Sequence, residues 1–89
     1  MPNETLDLAQ VQAFSSLYER TYMSVFRFIY ALHGGPRQEV EDLTAETYLR
    51  AWRARRRFQG DAGAAQSWLF KIARNNVIDA SRRKRARKF

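Results

Sequence analysis

The chain has no cysteine, one histidine, only 4 glycines and 2 prolines in 89 residues. Without cysteine there is no disulfide framework of the kind small secreted domains rely on, which points to a cytoplasmic protein. One histidine and no thiol leave no zinc-ligand set. The scarcity of glycine and proline argues against a loop-rich fold and for long regular elements. No apolar run reaches the roughly 20 residues needed to span a bilayer, so no membrane-spanning segment is expected, and a membrane partner is not favoured. The first fifteen residues carry Glu4 and Asp7 and no cation, which excludes a signal peptide. Glycine-rich phosphate loops and metal-spaced clusters are also missing, and His33 has no sequence neighbour to act with. An enzyme is therefore not expected, and neither a cofactor nor a metal.

What is present is positive charge. Sixteen Lys+Arg against nine Asp+Glu give a net +7. A small chain this basic has an anionic partner such as nucleic acid, acidic lipid or an acidic protein surface. The charge is uneven: Arg82, Arg83, Lys84, Arg85, Arg87 and Lys88 fall in the last eight residues, while Glu39, Glu41, Asp42 and Glu46 gather in the middle. One basic end and one acidic stretch suit two different partners.

The apolar residues repeat at helical steps and nowhere at a period of two. Phe14, Leu17, Tyr18, Tyr22, Val25, Phe26, Ile29 and Leu32 mark a helical stretch from Asp7, either one helix or two with a break near Thr21–Ser24. His33-Gly34-Gly35-Pro36 ends it. A second helix is predicted from Pro36 to Arg57, with acids near its start and arginines at its end as the helix dipole favours. Its stripe reads Val40, Leu43, Thr47, Ala51 and Ala54, widened by Tyr48, Leu49 and Trp52. Gln59–Ala65 reads as a flexible connector, and a last helix from Gln66 runs into the basic tail on a stripe of Leu69, Ile72, Ala73, Asn76, Val77 and Ala80. The fold expected is a single all-α domain over residues 1–89, an antiparallel bundle of three to four helices. Residues 1–6 should be a loose start and 82–89 a basic tail or the start of a linker. Leu17, Val25, Ile29, Leu43, Ala51, Leu69, Ile72 and Val77 are expected in the core.

Three segments carry functional potential. In Asp42–Trp52, the residues Asp42, Ala45, Glu46 and Arg53 share one side of a helix; this is either a solvated face with a Glu46–Arg50 pair or a docking face for a protein. The run Arg55-Arg56-Arg57-Phe58, the connector, and Ser67–Asn75 mix aromatics with cations. That is the chemistry of single-stranded DNA binding, where aromatics stack on bases and cations follow phosphates. Spacing alone favours core aromatics with solvated arginines. Ser81–Lys88 is a sequence-independent phosphate binder or a solvated tail.

In order, Phe14-x-x-Leu17-Tyr18, Val25-Phe26-Arg27-Phe28, Val40–Trp52, Phe58, a loop with Gly60, Trp68–Asn75, Asp79 and Arg82-Arg83 resemble region 2 of the extracytoplasmic-function (ECF, group IV) sigma factors. The resemblance implies a transcription-initiation domain with two faces. One, at Asp42, Ala45, Glu46 and Arg50, would dock on the clamp coiled coil of the largest subunit of core RNA polymerase. The other would capture and melt the promoter −10 element through its single-stranded non-template strand. Its positions here are Phe58, Gly60, Asp61, Trp68, Lys71, Arg74 and Asn75, with Arg82, Arg83, Lys84 and Arg85 on phosphates. An anti-sigma factor is a further partner the resemblance allows. Two departures stand out: Ala45 where the family commonly has Gln, and Met23 where it often has Pro. The second, −35-reading domain of such a factor has no counterpart, so these residues read as an N-terminal piece of a longer protein. The competing readings are a small helix-turn-helix regulator of duplex DNA and a basic membrane-surface protein.

Overall fold

A computed structural model describes residues 5–87 of the chain. Three α-helices make the fold: α1 (Val11–His33), α2 (Arg37–Ala54) and α3 (Ala62–Arg87), with a 3₁₀ turn at Arg55–Arg57 after α2. Each packs against the other two, and no strand occurs among the described residues. The all-α bundle is as expected.

The first helix is unbroken through Thr21–Ser24. The Thr21 hydroxyl donates to the Leu17 carbonyl at 2.6 Å and lies 2.7 Å from the Tyr48 hydroxyl, tying the middle of α1 to α2. With its own proton committed to Leu17, Thr21 accepts from Tyr48. Met23, the non-proline residue, keeps its N–H and the helix continues. Gly34 stops it in the left-handed conformation, φ 88°, and donates its N–H to the Tyr30 carbonyl at 2.8 Å. α2 is shorter than expected: the backbone tightens into the 3₁₀ turn at Arg55, whose guanidinium stacks 3.5 Å from the Trp52 ring centroid and donates to the Trp52 carbonyl.

The largest departure lies before α3. Gln59–Ala65 is not one connector. Ala62–Ala65 already belong to the helix, which starts four residues earlier than the sequence indicates. Asp61 explains the start: its Oδ1 accepts the Ala64 N–H at 2.9 Å and its carbonyl accepts the Ala65 N–H at 2.9 Å. At the other end α3 stays helical through Arg87, so the tail is a helix rather than a frayed strand of charge. Lys88 and residues 1–4 of the expected loose start lie outside the described residues.

The core joins all three helices through Phe14, Leu17, Val25, Ile29, Val40, Leu43, Ala51, Leu69, Ala73 and Val77. Burying a Leu, Ile or Val of this kind contributes roughly 1.5–3 kcal/mol. Seven of the eight expected core residues are buried; Ile72 is half-buried, because its position on α3 faces the α2–α3 groove. Leu8, expected in no helical stripe, is 1% exposed. Its segment is held down rather than loose: the Leu6 N–H donates to the Gly60 carbonyl at 2.7 Å.

Candidate nucleic-acid interface

The outer surface of α3 is built by helical spacing. Ala64, Trp68, Lys71, Asn75 and Arg82 recur at three-, four- and seven-residue steps and so share one face. Trp68 is half-buried and packs at 5.1 Å against Phe58, the residue that leaves the 3₁₀ turn. Its indole separates two shallow grooves. One, of about 450 Å³, is lined by Arg50, Ala54, Arg57, Trp68, Ile72 and Asn75. The other is lined by Arg57, Phe58, Gln59, Ala64, Ser67, Trp68 and Lys71. Arg57 borders both; it is not among the contact positions that the resemblance implies, but it belongs to the aromatic–basic run Arg55-Arg56-Arg57-Phe58.

Two of the anticipated DNA-contacting residues have structural roles. Asp61 caps α3. Gly60 sits at φ 149°, where an added Cβ would lie 2.8 Å from the Ala64 Cβ and 3.1 Å from the Phe58 ring. Only glycine fits without a shift, so Gly60 shapes the turn that places Phe58 against Trp68. Arg74 is not brought to the Trp68–Asn75 grooves. It faces the opposite shoulder of α3, lining a groove of about 340 Å³ with Leu32, Val77, Ile78, Ser81 and Arg85.

The four tail cations divide in the same way, since successive residues on a helix point about 100° apart. Arg82 continues the Asn75 face, Arg85 joins Arg74, and Arg83 and Lys84 overhang a mixed groove of about 550 Å³ with His33, Glu39, Asp42 and Leu43. There the His33 Nε2 lies 2.7 Å from the Glu39 carboxylate. The hydrogen bond from His33, with smaller help from Lys84, holds the Glu39 carboxyl below its ordinary range despite some desolvation.

On α2, Asp42 and Ala45 are exposed and Glu46 is partly so. Leu49, 41% exposed, adds an apolar element. Arg50 is shared between this flank and the α2–α3 groove: its Nε donates to Glu46 at 3.2 Å and its Nη1 to Asp79 on α3 at 3.1 Å. Burial opposes the charge, but the bonds to Asp79 and Glu46 outweigh it and hold the guanidinium above its ordinary value. Below it Asn76, fully buried, donates to the Leu43 carbonyl at 2.8 Å and to the Thr47 hydroxyl at 3.2 Å. Two polar clasps thus fix α3 on α2.

Among the described residues no cluster of His, Cys, Asp or Glu could hold a metal, and no helix is long and apolar enough to cross a membrane.

Residues 17–87 match the Sigma-70 region 2 family. The chain is 40% identical over 76 residues to the ECF RNA polymerase sigma factor BldN of Streptomyces coelicolor, an alignment covering 85% of this chain and 28% of the relative. It is 35% identical over 79 residues to SigL of Mycobacterium tuberculosis, covering 89% of this chain and 44% of the relative, and 32% identical over 80 residues to SigE of Mycolicibacterium smegmatis, covering 90% and 30%. Both are also ECF RNA polymerase sigma factors. The chain spans less than half the length of these relatives. No solved structure matches it. The three-helix bundle, its aromatic–basic face on α3 and the match over most of the chain agree, and the chain belongs to the sigma-70 region 2 family.

Proposed function

We propose that this chain acts in transcription initiation as region 2 of an ECF-type sigma factor, binding core RNA polymerase and capturing the non-template strand of the promoter −10 element. It works in the cytoplasm as a binding module, not a catalyst. The carrying observation is the groove that joins Asn75 to Trp68, with Arg57 and Arg50 on its rim. An exposed carboxamide offers both a donor and an acceptor to a base edge. An aromatic wall supplies stacking, worth about 1–3 kcal/mol per base, against the few kcal/mol needed to unstack one. Lys71 and Arg82, on the same face as Asn75, are placed to follow the phosphates. The exposed Asp42–Ala45–Glu46 flank supplies the second face, where carboxylates beside an apolar shoulder suit a partner rich in cations. Ala45 offers that partner no polar contact where the family commonly has Gln.

Asn75→Ala tests this reading. Asn75 is exposed and its side chain makes no hydrogen bond within the described residues, so stability should stay within about 0.5 kcal/mol. Affinity for a single-stranded −10-like oligonucleotide should fall, with discrimination lost at one base position. Equal binding of every oligonucleotide before and after the change would remove the base-capture role.

A further inference from the structure

The flank where α1 meets α3 carries a second concentration of cations. On α1, Arg20, Ser24, Arg27 and Ala31 recur at four- and three-residue steps and form one exposed line. This line borders α3, because Phe28, next to Arg27, packs edge-on against Phe70 of α3 at 5.0 Å, and Leu32 lines the groove with Arg74 and Arg85. On the α3 side Arg74, Ser81 and Arg85 recur at seven and four residues and are all exposed. None of the four arginines forms an ion pair among the described residues.

The acids are elsewhere. Glu39 pairs with His33, Glu41 with Arg37, and Glu46 and Asp79 with Arg50. Asp61 caps α3, Asp7 accepts from the Ala9 N–H, and Asp42 lines the groove beneath Arg83 and Lys84. Glu19 precedes Arg20 and points about 100° away from it round the helix. Four guanidiniums and two serine hydroxyls thus share a shoulder with no facing carboxylate among the described residues, at a concentration of positive potential distinct from the Asn75 face.

We propose that this α1–α3 shoulder is a second phosphate-binding surface, holding the sugar–phosphate backbone of DNA beyond the stretch captured at Asn75. The inference rests on the DNA-binding reading above. Guanidinium matches phosphate oxygens in bidentate fashion and is the side chain suited to this contact. Arg74 and Arg85 are separated by about 16 Å along α3, and Arg20 and Arg27 by about 10 Å along α1, from the 1.5 Å rise per residue. Both spans exceed the 3.4 Å rise per nucleotide of one strand, so each arginine meets its own phosphate. A protein partner fits less well: the large apolar side chains along the shoulder, the exposed Met23 and Leu32 and the half-buried Ile78, include no aromatic anchor of the kind that dominates protein interfaces.

The test is the double change Arg20→Gln with Arg27→Gln, far from Asn75 on another helix, alongside Arg74→Gln with Arg85→Gln. Binding to a fluorescent single strand and to a fluorescent duplex is followed by anisotropy over a salt series, with helicity checked by circular dichroism. Each pair should lower affinity for every sequence alike. Each should also reduce the steepness of log K against log salt by about 1.4 on the single strand or about 1.8 on the duplex, as for two lost phosphate contacts. Discrimination between matched and mismatched oligonucleotides should be unchanged, and the Lys-for-Arg versions should recover most of the slope. An unchanged slope in the folded α1 pair overturns the proposal, as does a change in base preference. If the unaltered chain binds neither DNA, it is the function proposed above that fails.

Discussion

Gly60→Ala isolates the turn that positions the aromatic edge of the proposed nucleic-acid face. The added methyl would sit 2.8 Å from the Ala64 Cβ and 3.1 Å from the Phe58 Cζ, on a residue whose φ is 149°. Neither obstacle is the free end of a flexible side chain: Ala64 is fixed in the first turn of α3, and the Phe58 ring is held against Trp68. A strained backbone conformation costs about 1–3 kcal/mol, and forcing a methylene-sized group into packed surroundings about the same. Part of this is relieved if the loop shifts, which loosens the Leu6–Gly60 hydrogen bond, so a net loss of about 2–4 kcal/mol is expected. For a domain of this size that lowers Tm by roughly 10–25 °C. Gly63→Ala, three residues on, is the matched control. Its Cβ would meet only the Asp61 carboxylate at 3.5 Å, an ordinary contact, on a helical residue with no positive φ. That change should stabilise by about 0.5–1 kcal/mol through helix propensity. Thermal unfolding followed at 222 nm reads both. A Gly60→Ala protein that melts within a few degrees of the unaltered chain would refute the reasoning that the turn is sterically closed.

The remaining expectations concern α2. Burial pushes the Tyr48 hydroxyl up to about 12. The folded chain then keeps this proton where the unfolded chain gives it up, so the associated stability is fully present below about pH 10 and is lost as pH rises towards 12; it amounts to roughly 2 kcal/mol. Tyr48→Phe should remove that part of the alkaline loss in urea unfolding at pH 9 and pH 11, and an identical alkaline loss in both proteins would exclude Tyr48 as its source. Glu46→Lys should weaken binding to purified core RNA polymerase while leaving helicity intact, because Arg50 keeps its bond to Asp79; undiminished binding by pull-down or titration would mean that the α2 flank is not the docking face.

The helices and most of the core were legible because they rest on repetition. Leu17, Val25, Ile29, Leu43, Ala51, Leu69 and Val77 follow stripes that any amphipathic helix must bury. What escaped were features set by single contacts. Leu8 belongs to no stripe; it is buried because the chain before α1 is drawn across the bundle and fastened at Gly60. Ala62-Gly63-Ala64-Ala65 looks like a linker in composition, yet the Asp61 carboxylate supplies the cap that makes it helix, and Ala65 is fully buried there. The separation of Arg74 from Asn75 was hidden by adjacency in sequence: neighbours in a strip of text diverge by about 100° on a helix, so a motif read as one cluster resolves into two shoulders. The same geometry divides the cations of the tail between three surroundings.

On the function proposed above, α2 docks on a polymerase and α3 holds a DNA strand, and such a domain transmits no geometry unless the two helices keep their register. Apolar packing alone specifies that register weakly, because side chains of similar size slide past one another at modest cost. Here the α2–α3 seam is held by two polar contacts of different kinds. Asn76, with no exposed surface, spends both amide protons on Leu43 and Thr47, and a one-residue slip would leave its buried amide without those acceptors, at about 1–3 kcal/mol. Arg50 adds a bridge from Glu46 to Asp79 at the rim, a weaker tie since it is partly solvated. Both ties are placed between the Asp42–Glu46 flank and the Asn75 groove. The buried one fixes the axial register and the rim one limits splaying. This placement accounts for a buried asparagine and an inter-helix ion pair at the seam of an otherwise apolar bundle.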